Sequence, residues 1–521
     1  NYQPIVITSI RSGEDRVSWM KFTVDGNHSY VADGLLLHNA SRYWVGGGAS
    51  ANWNATGNTN WGSTSNTQDN ASVPTSSDDV FFDGVGAGAS NSTLSADITI
   101  RSLNMTGYAN TLTHNSAITL SIGDATAGLS NIALKLVAGM TYTLGNAATS
   151  AITFASTSTT VQTVDFAGLT SGDVLYNGVA GSWQMTGTHN TGSSTDVTLT
   201  NGTLNTNGQT MSIGRFLSTN SNTRVLTLGA SAITIKQGGA TSWNLTTATN
   251  LTLTAHTATI TLTGSGSDFA GGGLTYGGTV ALTGAGNQSV IETNTFVNLT
   301  RTGTATKTNQ LLLNANQTVT GVLTLAGDSS INRLMVQSNT IGTARTITNT
   351  GATMTWSNVN FKDITLGTAF DASAITGLSG NAGGNTNITF TTAVINYWIG
   401  GTGNWSAVAE WASTSGGAAS SGRVPLPQDT ANFDANSFSA GSLTVTQNMP
   451  HIGSVDWTGA TNTPTWTTST AASIYGSLTL ISGMTLTAST QAYTFEGRST
   501  FTLTSAGLTW AKDITINAPG G

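Results

Sequence analysis

From about Asp97 to Phe390 the chain alternates apolar residues with Thr, Ser or Ala in short runs, among them Val197-Thr198-Leu199, Val225-Leu226-Thr227-Leu228, Ile233-Thr234-Ile235, Ile260-Thr261-Leu262 and Val280-Ala281-Leu282. A period of two is the signature of a strand with one buried face. Between the runs lie Asn201-Gly202, Asn207-Gly208, Gly238-Gly239, Gly271-Gly272-Gly273 and Gly277-Gly278, which supply the positive φ that tight turns require. No segment sustains apolar residues at helical spacing behind a cap. The chain therefore reads as all-β. Two architectures suit this pattern, a stack of β-sandwiches and a parallel β-helix. The short strands, recurring roughly every 8 to 10 residues, favour the β-solenoid. In that fold inward Leu, Ile and Val stack from coil to coil, outward Thr and Ser form surface ladders, and Asn and small residues turn the corners.

A second pattern has a much longer period. Tyr43-Trp44-Val45-Gly46-Gly47 returns as Tyr397-Trp398-Ile399-Gly400-Gly401, and the residues after it return in the same order. Asn52-Trp53 matches Asn404-Trp405, Trp61 answers Trp411, Val73-Pro74 answers Val424-Pro425, and Asp78 with Phe82-Asp83 answers Asp429 with Phe433-Asp434. Ile100 to Gly107 then parallels Ile452 to Gly459. A long repeat at nearly constant offset describes a protein that gains reach by adding units. The expected organisation is a β segment at 1–40, a small Trp-rich β module at 41–96, a solenoid shaft at 97–395, a second Trp-rich module at 396–450 and the start of a second solenoid at 451–521. The first residue is Asn rather than Met and the second unit is short, so the natural protein is expected to extend further at both ends.

Composition narrows the functional classes. Only 8% of residues are charged, against roughly 25% in an ordinary globular domain. Solubility falls instead to Thr, Ser, Asn and 62 glycines. A net charge of −7 with no Lys/Arg cluster gives no footprint for nucleic acid, and no apolar run is long enough for membrane insertion. There are no cysteines, hence no disulfides, thiolate metal sites or Cys nucleophiles.

The Trp blocks have two readings: rings that fill a cap closing the solenoid end, and a glycan platform in which Trp53, Trp61, Trp405 or Trp411 stacks on sugar faces. Residue types alone do not separate them. Asp78, Asp79 and Asp83, with Asp429 and Asp434, are expected to cap turns, and Ca²⁺ coordination is the alternative. The histidines show no metal-ligand spacing and the four glutamates are far apart, so no metal and no cofactor are expected.

Residues 14 to 39 contain a Phe22-Thr23-Val24 strand, then Gly26-Asn27-His28-Ser29-Tyr30-Val31-Ala32-Asp33-Gly34, and end in His38-Asn39. This segment resembles the C-terminal end of inteins and related Hint domains. The resemblance implies that the Asn39 side-chain amide attacks its own backbone carbonyl and releases the amine of Ala40, with His28 and His38 moving protons. Splicing also needs a Cys, Ser or Thr after the Asn. Ala40 stands there instead, which leaves at most a vestigial cleavage of the Asn39-Ala40 bond.

A Hint-like segment leading into Arg42-Tyr43-Trp44-Val45-Gly46-Gly47 and then into Thr/Gly-rich β repeats resembles the large repetitive β-strand proteins of tailed phages. That resemblance implies a non-enzymatic fibre, spike or capsid appendage on the virion surface. Its partners would be other virion structural proteins and host surface glycans, and a homotrimer is the expectation for a fibre. A secreted bacterial surface adhesin and a polysaccharide depolymerase tailspike are the alternatives. The depolymerase requires carboxylates clustered in a groove. Ice binding by a flat Thr array, prompted by runs such as Thr252-Leu253-Thr254, requires equivalent Thr positions on successive coils.

Overall fold

A computed structural model describes residues 29–32, 35–38, 41–55 and 59–519. Short parallel strands wind into a β-solenoid of about 19 turns, with 44% of the residues in strands. Each coil has three strand-bearing faces, clearest in the second unit, where three sheets run side by side. One orders Trp411–Ala412, Ile395–Trp398, Thr430–Asn432, Ser454–Asp456, Leu478–Thr479 and Leu503–Thr504. The other two start at Gly403–Asn404 and at His451–Ile452.

The alternation in the sequence becomes columns. Leu120, Ile152, Val174, Val197, Phe216, Trp243, Phe269, Val290 and Leu313 lie in register on successive coils, and all are buried. A neighbouring column stacks its rings, Phe154 on Tyr176 at 4.9 Å and 11°. Each coil hides its apolar face only with a coil above and below, so stability is a sum of neighbour contacts. Outward positions form the expected ladder: Ser212, Thr234, Thr261, Ala281, Thr300, Thr324 and Thr355 are equivalent on successive coils. At Thr252-Leu253-Thr254, however, Thr254 pairs with Thr227 while Thr252 pairs with Val225. At the run that prompted the ice-binding reading, Thr252 therefore has no equivalent Thr on the preceding coil.

Corners obey the chemistry of Asn and Gly. Asn201 donates its amide N–H to the Asn177 side-chain oxygen one coil away, at 2.7 Å. Gly202 beside it has φ +83°, and a Cβ there would lie 2.5 Å from the Gly181 carbonyl oxygen, so only glycine fits. Three corners use a feature the sequence pattern did not announce. Arg301 sits fully buried between Leu282 and Leu325 in an inward column, and its guanidinium donates to the carbonyl oxygens of Leu282, Gly284, Gly286, Thr302 and Gln310. Arg224 and Arg333 staple other corners in the same way. Burial pulls Arg301 down to about 10, which leaves it charged at neutral pH.

The Trp blocks belong to the ladder. Ser41–Trp44 pairs in parallel with Asp79–Phe81, which pairs with Ser102–Asn104, so no break falls near residue 96. Ile395–Trp398, Thr430–Asn432 and Ser454–Asp456 repeat this connection across residue 450. Each block is the opening of its own solenoid, closed by a short antiparallel pairing, Trp44 with Trp61 and Trp398 with Trp411. Ahead of the first block, Ser29–Ala32 pairs with Leu35–His38 as an antiparallel hairpin.

The second unit does not continue the first as one straight shaft. Its strands form sheets of their own, and its flank lies against the last coils of the first. Lys307 donates to the Asn448 carbonyl oxygen, Tyr475 packs with Met335 and Ala382, Arg498 grips Asp363, and Pro519 sits against Gly342. Successive coils of the second unit thus meet successive positions along one strand direction of the first. Since strands run across a solenoid axis, the second axis crosses the first.

Candidate functional site

The two caps share one inner Trp pair, while Trp44 donates to the Ser90 hydroxyl and Trp398 to the Gly401 carbonyl oxygen. The Trp61 indole N–H donates to the Trp53 carbonyl oxygen at 2.8 Å, and Trp411 does the same to Trp405 at 2.8 Å. Trp53 meets Trp61 edge to face at 5.4 Å, and Trp405 meets Trp411 so at 5.1 Å. Phe82 and Phe433 close the two clusters. Trp53 is 2% exposed and Trp61, Trp405 and Trp411 are 0% exposed. The glycan platform expected at these four residues is therefore corrected. Stacking on a sugar needs an open ring face, and here the rings are turned inward, because a solenoid end has no further coil to bury its apolar interior.

The recurring aspartates cap turns. Asp78 accepts the Thr75 backbone N–H and hydroxyl, each at 2.8 Å, and Asp429 accepts the Leu426 N–H at 2.8 Å. Asp83 and Asp434 each accept the N–H two residues on. Both buried caps face a guanidinium that comes from a different place in each copy: Arg42 lies 3.8 Å from Asp78, while Arg423 forks onto Asp429. Asn396 takes the place of Arg42 in the second unit. A second pair varies as a unit, for Arg101 and Asp79, joined by a buried ion pair, become Gly453 and Thr430.

Other ionisable groups also serve the scaffold. Asp173, Asp196 and Arg215 stand on successive coils: Asp173 accepts the Asp196 N–H at 2.8 Å, and Arg215 forks onto Asp196 at 2.7 and 2.6 Å. Burial, then the Asp196 charge, raises the Asp173 pKa. One carboxylate holds a backbone amide and the other holds an arginine, the reverse of an open catalytic pair. His189 stacks on Phe166 at 3.8 Å and bonds the Ser171 hydroxyl at 2.9 Å; burial holds it down at about 3, so it is a neutral core residue. Among the described residues no three His, Asp or Glu side chains converge on a metal-sized site, and no helix is long and apolar enough to cross a membrane. His28 and Asn39 lie outside the described residues, and His38 ends the hairpin opposite Ser29.

The junction between the units collects the densest chemistry. Lys362 is ion-paired with Glu496 and Asp363 with Arg498, all four with side chains at most 10% exposed. His451 bonds the Tyr475 hydroxyl at 3.0 Å. Beside these contacts opens a cleft of about 460 Å³, lined by Asn381, Gln428, Ser477, Arg498 and Phe501 among others. The sequence held a signal for this site that period-two reading passes over. Ladder register aligns Ile474 with Ile122 and Phe495 with Phe154, so Tyr475, Glu496 and Arg498 stand where the first unit has Gly123, Ala155 and Thr157. The second copy gained size and charge where it meets its neighbour.

In comparisons with protein-family models, curated proteins and solved structures, nothing matched this chain.

Proposed function

We propose that the chain is a non-enzymatic structural protein of a tailed-phage virion, a fibre, spike or capsid appendage that extends from the particle surface toward the host. The observation that carries this reading is the repetition of one Trp–Trp pair, with the same edge-to-face packing and the same indole-to-carbonyl hydrogen bond, at the head of two coil stacks. Such a plan adds length without adding chemistry. Continuous backbone ladders and buried columns suit a protein that works outside a cell without a disulfide, and the weak net charge of −7 gives nucleic acid no purchase. The likeness to repetitive phage β-strand proteins supplies the particle; other virion proteins and host glycans are the partners it implies, with a homotrimer as the expected assembly.

A secreted bacterial adhesin would use the same architecture. The depolymerase is less well supported, because Asp173 and Asp196 are spent on scaffold bonds. Proteomics and immunogold labelling of purified particles test the reading. Labelled particle surfaces are expected, whereas protein confined to bacterial envelope or secreted fractions would replace the virion by the adhesin. The Hint-like segment is read as a retained architectural module, so intact mass should show an unbroken Asn39-Ala40 bond.

A further inference from the structure

We infer that the cleft at the junction of the two units binds a neutral oligosaccharide. This rests on the reading of a surface appendage that contacts glycans, and it moves the contact from the buried cap tryptophans to a place with open surface. The cleft holds about 460 Å³, within the roughly 300–1,000 Å³ range of small-ligand sites, and it lies between two packed units, where such sites concentrate.

Its chemistry selects the ligand class. The wall is mostly uncharged: the Asn381 amide N–H and the Ser454, Ser477 and Thr500 hydroxyls are left to donate, while the Gln428 amide is held by the Ser379 and Thr391 carbonyls and the Asn381 N–H. Arg498 is the charged lining residue, and Asp363 matches its charge by a two-pronged pair at 2.9 and 2.6 Å. An anion therefore finds no free cation on this wall, and a lipid finds too little apolar surface. Phe501 adds a ring, half-buried, whose inner side stacks on Phe495 at 5.7 Å and 9°. Hydroxyl partners around an aromatic face are what a sugar ring requires, with polar groups on its edge and C–H groups on its face.

The cleft is also a built feature. It exists because Tyr475 and Arg498 replace the Gly123 and Thr157 of the first unit, Tyr475 packing with Met335 and Ala382 and Arg498 lying against Gly383. A Cβ on Gly383 would lie 2.8 Å from the Arg498 side chain, so the close approach depends on that glycine.

The test is saturation-transfer NMR on the full chain with glucose-, galactose- and N-acetylglucosamine-based oligosaccharides. At least one should bind, and its affinity should fall about ten-fold or more in Phe501→Ala and in Ser477→Trp, which fills the cleft, while both variants keep the parent melting temperature within a few degrees. Absence of binding across the panel, or equal binding in both folded variants, would overturn the inference. Neither result touches the structural role, which the particle-localisation experiment decides separately.

Discussion

Single residues carry two kinds of burden in this molecule, closing ends and closing corners. Trp61 and Trp411 close ends, each fully buried within a ring cluster. Replacing either by Ala should cost about 3–5 kcal/mol in urea unfolding of the affected unit; a change below about 0.5 kcal/mol is what an exposed surface ring would give. Arg301 closes a corner. Arg301→Leu would match its column mates Leu282 and Leu325 in shape yet strip the guanidinium bonds from five carbonyl oxygens, the Gly286 oxygen keeping the Gln310 N–H, so a loss of about 3 kcal/mol or more is expected in thermal unfolding. Arg301→Lys should recover little, since an ammonium lacks the planar fork that reaches several carbonyls at once. The cap was legible as a repeated motif, but whether its rings faced inward or toward a sugar was not, because Trp serves both purposes. The arginine staples were not legible. Nothing local marks Arg301, and only the register of neighbouring coils shows that it sits in an apolar column.

Elements add up by stacking, and the period-two pattern foretold this well. Runs such as Ile233-Thr234-Ile235 and Ile260-Thr261-Leu262 do lie in register, apolar side inward. The expected boundaries at residues 96 and 450 were read from composition, which changes there while the hydrogen-bond ladder does not. Buried imidazoles within the stack make its stability depend on pH. Burial, helped by Lys236, holds His189 at about 3, and burial, helped by Lys362 and Arg333, holds His451 at about 3. In the unfolded chain each has an ordinary value near 6.5. The unfolded state therefore binds the extra proton between these limits. The stabilisation is present above about pH 6.5 and is lost as pH falls toward 3, by about 1.4 kcal/mol per pH unit for each histidine. Unfolding measured from pH 7 to 4 should show this slope, and His189→Gln should flatten it by one histidine's share.

At the scale of the whole molecule, the two solenoids cross. Sequence periodicity marks two units but not the angle between them, since it registers repeats and not their relative direction. The information lay in the departures of the second copy from the first, Tyr475 for Gly123, Glu496 for Ala155 and Arg498 for Thr157, which read as a contact surface once the coils are aligned. The Lys362–Glu496 and Asp363–Arg498 pairs would hold the crossing rigidly, because a desolvated charge left without its partner is costly. A particle appendage built this way carries a fixed bend at the start of its second unit. The most direct test is a double-mutant cycle of thermal unfolding on the full chain with Lys362→Met, Glu496→Met and the two combined. Crossed units predict that each single change destabilises by about 3 kcal/mol or more and that the double recovers at least about 1 kcal/mol of the sum. Strictly additive effects, with both singles near zero, would mean that these residues do not meet and that the second unit does not lie across the first.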